Sequence, residues 1–262
     1  MRASQRDVLV NDDAGVRSLV LNRPTSRNAI NYDVLEELES AVAAAADDDS
    51  VRALVVRGEG QVFCAGDDLK GMGTQRTPLP EDAKERADLG YPRFVLALRN
   101  IPKPVIAQVH GAALGAGCDL AFSCDIVFAA EGARFGLVFA ARGMVSGTAL
   151  LPSLVGYHRA CELLFSADTF TAEQAGQWGL VNHVVPADDL DQHVTEYARR
   201  LAAAPTAAIG LMKRAINESR GQSLESAVET QRSAVAESYQ THDYYEGGRA
   251  FTEKREPRFI GR

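Results

Sequence analysis

Four short aliphatic runs set the frame for this chain: VRSLVLN (Val16 to Asn22), RALVVRG (Arg52 to Gly58), PVIAQV (Pro104 to Val109) and DIVFAA (Asp125 to Ala130). Their apolar residues are nearly continuous rather than alternating, which is the pattern of strands covered on both faces. Helical spacing fills the intervals. Val34, Leu35, Leu38, Ala41, Val42 and Ala45 share one helical face behind Asn31. The Asn31 side-chain oxygen suits the free amides of a first turn. A shorter helix is expected near Arg93 to Arg99, and small residues open another after PVIAQV. Strands alternating with helices predict an α/β core with buried strands.

The texture changes after Asp188. TAEQ (Thr171 to Gln174) is a capping-box pattern, and VNHVV (Val181 to Val185) is the last strand candidate. From there the chain reads as helical almost to its end, broken at Pro205, SRGQS and HDYYEGG. The expected organisation is a core over 1–195 and a helical appendage over 196–262, of the kind that covers a neighbouring subunit. A length of 262 residues suits one large domain or a core with such a piece.

Composition narrows the partners. A net charge of −7 argues against a nucleic-acid surface, which needs a basic stripe. The start, MRASQRDVLV, is too polar for a secretory core, and CDLAFSCDIVFAA is interrupted by Asp119 and Asp125 before it reaches membrane-spanning length. Neither a signal peptide nor a membrane partner is expected. Cys64, Cys118, Cys124 and Cys161 lack ligand spacing, so the expectation is reduced thiols, a cytoplasmic protein and no metal.

Two segments invite chemistry. QVFCAGDDLKGMG follows a strand, and the small residues Ala65 and Gly66 allow a sharp turn that exposes main-chain N–H groups. HGAALGAGCDL follows another strand and places Gly115, Ala116 and Gly117 at the opening of a helix, where free amides and the helix dipole favour an anion. A plain turn in the first segment, or a close helix–strand contact in the second, would explain either motif alone. Together they are more informative.

FCAGDDL, HGAALGAGCDLAFSCDI and the ending DYYEGGRAFTEKREPRF together resemble the enoyl-CoA hydratase/isomerase (crotonase) family, and RPTSRNAI is similar to its first CoA-contacting segment. The resemblance covers nearly the whole chain. It implies a spiral of repeated ββα units with a C-terminal helical trimerisation region, and an acyl-CoA thioester substrate. It also implies a homotrimer or dimer of trimers. Coenzyme A would enter only as part of the substrate, with no separate cofactor.

By motif position, the amides that bind the thioester oxygen belong to Asp67 and Ala116. The substrate contacts carried over are Arg27, Ala29 and Ile30 in the first segment, and Ala65, Asp68, Leu69 and Lys70 in the second. Leu114 beside the Gly-rich turn and Phe139 in the pocket wall complete the set. Arg27 and Lys70 suit phosphates as fixed cations, or are simply solvated charges.

The resemblance breaks at the acids. Hydratases of the family use two glutamates. Asp119 stands at the first position, with one methylene less reach, and serves either the active site or the helix start. Phe139 stands at the second and carries no proton. The alternative acid of the isomerases is missing too: in GMVSGTALLP its nearest equivalent is Gly147, in a loop about three residues shorter than in many relatives. Asp67 is expected to point outward into solvent, with the alternative that it supplies a second carboxylate near the thioester. His110, Cys64 and Cys118 read as structural, while Arg142 and Tyr91 are pocket candidates without a role. The expected activity is a hydratase/isomerase-type enzyme that stabilises an enolate with Asp119. Proton shuttling is easier to defend than full hydration, and the alternatives are a catalytically weak or inactive CoA-thioester binding paralogue or an atypical isomerase of the family.

Overall fold

The computed structural model describes residues 6–90 and 92–262. In chain order the elements are β1 (Val8–Asp13), β2 (Val16–Leu21), α1 (Tyr32–Asp47), β3 (Ala53–Gly58), α2 (Ala83–Asp88), α3 (Pro92–Asn100), β4 (Val105–Val109), β5 (Ala112–Leu114), α4 (Ala116–Ser123), β6 (Ile126–Ala130) and β7 (Arg134–Gly136). They continue with α5 (Leu151–Val155), α6 (Tyr157–Ser166), β8 (Thr169–Thr171), α7 (Ala172–Gln177), β9 (His183–Val185), α8 (Leu190–Ala202), α9 (Thr206–Glu218), α10 (Leu224–Ser238) and α11 (His242–Glu253).

The main sheet runs β1-β2-β3-β4-β6-β9. Only the β1–β2 hairpin is antiparallel; every other neighbouring pair is parallel. All five residues of β4 are buried, which accounts for its unbroken apolar run. The Asn31 side chain accepts from the Val34 N–H at 2.9 Å and starts α1, whose buried stripe is Val34, Leu35, Leu38, Val42 and Ala45. Thr171 and Gln174 form the capping box that opens α7.

A second sheet of three short strands, β5-β7-β8, stands beside the first. Sequence reasoning did not anticipate it, because three-residue strands hold too few positions to show a period. Two isolated bridges extend its reach, Cys64 to Ala113 and Ile30 to Asp67. Every residue of α4 is buried, so this helix runs through the interior rather than over it.

The expected division at 195/196 falls inside α8. Leu190, Val194, Ala198 and Ala202 of this helix are buried, and it packs on β2, β3, β4 and β6. It therefore belongs with the sheet, and the helical tail begins with α9. Lys213 ties that tail to the core, donating from its buried Nζ to Asp125 Oδ2 at 2.7 Å and to the Leu98 carbonyl at 2.7 Å. Among the described residues no helix is long and apolar enough to cross a membrane.

Candidate functional site

The two turns singled out in the sequence abut. Leu114 N–H donates to Cys64 O at 3.0 Å, and Cys64 N–H donates to Ala112 O at 3.1 Å. Glycine is required at the contact. A Cβ on Gly117 would meet Cys64 O at 2.4 Å, and one on Gly66, where φ is +93°, would meet Leu114 O at 2.7 Å and lie 3.5 Å from Ala116 N. Among the described residues neither the Asp67 nor the Ala116 N–H donates to a main-chain carbonyl. Ala116 N–H is an unused amide of the first turn of α4, and Asp67 N–H lies against its own carboxyl group.

The segments matched to CoA contact are joined by their backbones. Ala65 N–H donates to Arg27 O, Ile30 N–H to Gly66 O, and Asp68 N–H to Ile30 O, at 2.8–3.0 Å. Arg27, Leu69 and Lys70 are exposed, Ala65 and Leu114 are half-buried, and Ala29 is buried. The Ile30 side chain is fully buried and offers a ligand no surface, so its place here is that of a backbone anchor. Asp68 is already engaged, accepting from Arg23 Nη2 at 2.8 Å and from the Gly71 N–H at 2.9 Å.

A cavity of about 610 Å³ opens beside the turns. Leu79, Val95, Leu96, Met144 and Leu150 make much of its wall apolar; Asp67, Asp119 and Ser146 are among its polar groups, with Asp68 and Arg86 also on the lining. Asp119, in the first turn of α4, does not cap that helix; its Oδ2 accepts from Ser146 Oγ at 2.5 Å instead. Burial pushes its carboxyl up to about 6, against the pull of the Ser146 hydroxyl and the Gly147 N–H. Gly147 also faces the acid, since a Cβ built there would lie 3.5 Å from Asp119 Oδ1. The position that resembles the isomerase acid thus sits against Asp119 without a side chain.

Asp67 corrects one expectation. Its carboxyl is turned inward: Oδ1 is buried and has no hydrogen-bond partner. The bridge through Ile30 explains the direction. It holds Asp68 beside Arg23, which takes that carboxylate; both acids border the cavity, and Asp67 is the one left without a partner for its buried oxygen. Burial first, and then the charge of Asp119, push it up to about 6.

Phe139 is buried, its ring 3.6 Å from where a Gly115 Cβ would lie; it lines a separate small hollow with Asp67, Gly115 and Arg142 rather than the larger cavity. Arg142 lies close enough to favour the charged form of Asp67. Tyr91 lies outside the described residues. Cys64 and Cys118 are buried free thiols with raised pKa, Cys64 to about 12, which leaves them un-ionised and inert. His110 Nε2 sits 2.9 Å from Gly60 O, a structural contact. Ser146 was missed, because a serine in a glycine-rich loop carries no signal until the acid it touches is located.

Comparison with known proteins supplies the rest. A sequence profile described as Enoyl-CoA hydratase/isomerase matches residues 11–262. The 1,2-epoxyphenylacetyl-CoA isomerase of Escherichia coli (strain K12) is 36% identical over 258 residues, covering 97% of this chain and 98% of that protein. The crotonyl-CoA hydratase of Syntrophomonas wolfei is 36% identical over 260 residues, covering 98% of each. The crystal structure of an enoyl-CoA hydratase from Bacillus anthracis superposes with a TM-score of 0.89 at 31% identity, covering 98% of this chain and 100% of that one. With nearly its whole length matched by profile, sequence and fold alike, the chain belongs to the enoyl-CoA hydratase/isomerase family.

Proposed function

We propose that this acyl-CoA enzyme carries out proton transfer at the α-carbon of an enoyl thioester, moving the double bond between the 3- and 2-positions. The Asp67 and Ala116 amides hold the thioester oxygen as it gains enolate charge, and Asp119 takes the α-proton. One observation carries this reading: two amides that donate to no main-chain carbonyl, and a buried carboxyl beside the same cavity. Donors fixed in place before the reaction need no reorganisation, and each is worth about 2.7–4 kcal/mol in such sites. A carboxyl near 6 can both accept and release a proton around neutral pH.

The apolar cavity wall suits an acyl chain, and the joined segments Arg27–Ile30 and Ala65–Lys70 suit the CoA moiety. CoA enters as part of the substrate. Phe139 disfavours hydration, because a phenyl ring neither orients nor deprotonates water. Exposed apolar residues on the tail, among them Ile216, Leu224 and Phe251, fit a homotrimer or dimer of trimers, which light scattering would measure directly.

The test is the enoyl absorbance during incubation with 3-enoyl-CoA and, separately, with crotonyl-CoA. Conversion of 3-enoyl-CoA is expected, with slow or absent hydration of crotonyl-CoA. Asp119→Asn should lose about 10²–10⁴-fold in rate. Full activity in that variant rules out the assignment, and CoA-thioester binding without any turnover would make the protein a binding paralogue instead.

A further inference from the structure

We propose that the Asp67 carboxyl is the second acid–base group of this site, a neutral proton donor standing opposite an ionised Asp119. The inference rests on the acyl-CoA reading above and adds to it a residue that does what the Phe139 position cannot.

Both carboxyls line one cavity. Two like charges at close quarters are not both ionised cheaply, and the better solvated partner keeps the charge. Asp119 has that advantage, with the Ser146 hydroxyl 2.5 Å from Oδ2 and the Gly147 N–H also supporting its anion. Asp67 Oδ1 has no partner at all. An anion there has only its own N–H and the charge of Arg142 to set against desolvation, whereas a protonated carboxyl costs much less to bury.

The other groups facing Asp67 are Arg142, from the turn after Phe139, Tyr32 at the start of α1, and the Cys64 thiol behind the turn. Its own N–H and then Arg142 favour an anion there, and both rank below burial and Asp119. Tyr32 and Cys64 are both held neutral by burial, although Arg86 pulls Tyr32 the other way.

Position gives a second reason. The Asp67 carboxyl lies against its own N–H, one of the two amides assigned to the thioester oxygen. An anion there would compete for that amide and repel an oxygen gaining negative charge. A neutral carboxyl does neither.

The step then balances without any further reactant. Asp119 takes the α-proton of a 3-enoyl thioester. The C–H pair becomes a bond between the α-carbon and the carbonyl carbon, and the carbonyl π pair moves onto oxygen. On collapse, the oxygen pair restores the carbonyl and the α-carbon pair forms the 2,3-double bond. The former 3,4-π pair takes a proton from Asp67 at the γ-carbon. Asp119 ends neutral and Asp67 ionised, and one proton passed between them resets the site.

The full-length Asp67→Asn variant tests this, because it keeps the main-chain amide and removes only the proton. An infrared titration of the protonated-carboxyl band, without substrate, should show two separate steps in the wild type. The upper step should vanish in Asp67→Asn. With α-deuterated 3-enoyl-CoA, the variant should wash out deuterium within ~10-fold of the wild type while 2-enoyl product falls by ~10²-fold or more. Asp67→Glu should restore part of the product rate.

Wild-type isomerisation in Asp67→Asn, loss of exchange together with product, or ordinary titration of Asp67 in the wild type each overturns the assignment. A wild-type protein that neither exchanges nor isomerises sinks the acyl-CoA reading instead, and the infrared steps then decide the shared proton alone.

Discussion

Asp119 and Asp125 flank the same buried helix, one within the first turn of α4 and the other just past its end, and both are withdrawn from water. Their surroundings differ. Asp125 accepts from Lys213 Nζ at 2.7 Å and from the Val105 N–H at 2.8 Å, with Arg99 adding its charge. Asp119 has a hydroxyl and an amide for partners, no salt-bridged cation among the described residues, and a second carboxyl across the cavity. Burial raises the pKa of both. The pairing at Asp125 ties the tail to the core. The absence of pairing at Asp119 leaves a proton that can be exchanged. A buried acid with a cation is a clamp, and one without is a reagent.

Removing the clamp should give the largest effect. Lys213→Met strands Asp125 and should cost about 3–5 kcal/mol of stability at neutral pH. Chemical denaturation should recover part of that loss in acid, as Asp125 becomes neutral. The titration of Asp119 should not move, and if it does, the two acids are not independent.

The reagent should instead appear in the pH dependence of stability. Burial raises Asp119 from 3.8 to about 6. Between those values the folded chain keeps a proton that the unfolded chain has lost, so stability falls as pH rises through the window. Asp119 alone should contribute a decline of about 3 kcal/mol between pH ~4 and pH ~7. Urea unfolding of Asp119→Asn across that range should show a flatter slope, and an unchanged slope would place the acid in water.

The smallest effect sharpens the comparison inside the site. Ser146→Ala removes a hydrogen bond that favours ionised Asp119, so its pKa should rise further. The acidic limb of the rate profile should shift upward, with the rate near neutral pH falling about tenfold.

How much of this was legible in the sequence follows the range of the interactions. The Asn31 cap, the Thr171–Gln174 box and the four aliphatic runs are local signals, and each element stands where they indicate. The two glycine turns were legible because their bulk limits are written in residue type. The β5-β7-β8 sheet was not, since its register depends on partners far apart in the chain. Nor was the direction of Asp67, which depends on Ile30 bridging Gly66 and Asp68 and on Arg23 taking the neighbouring acid. Asp67 and Asp68 are chemically identical in the text. Only the long-range bridge tells them apart.

The abutting turns carry a consequence of their own. Their contact is built from backbone atoms and from glycines with no side chain to change. Residue types at 67 and 116 can therefore drift without loosening the frame. A lineage that abandons one acid can recruit another on the same cavity, and its repertoire of reactions can diversify on an unaltered chassis.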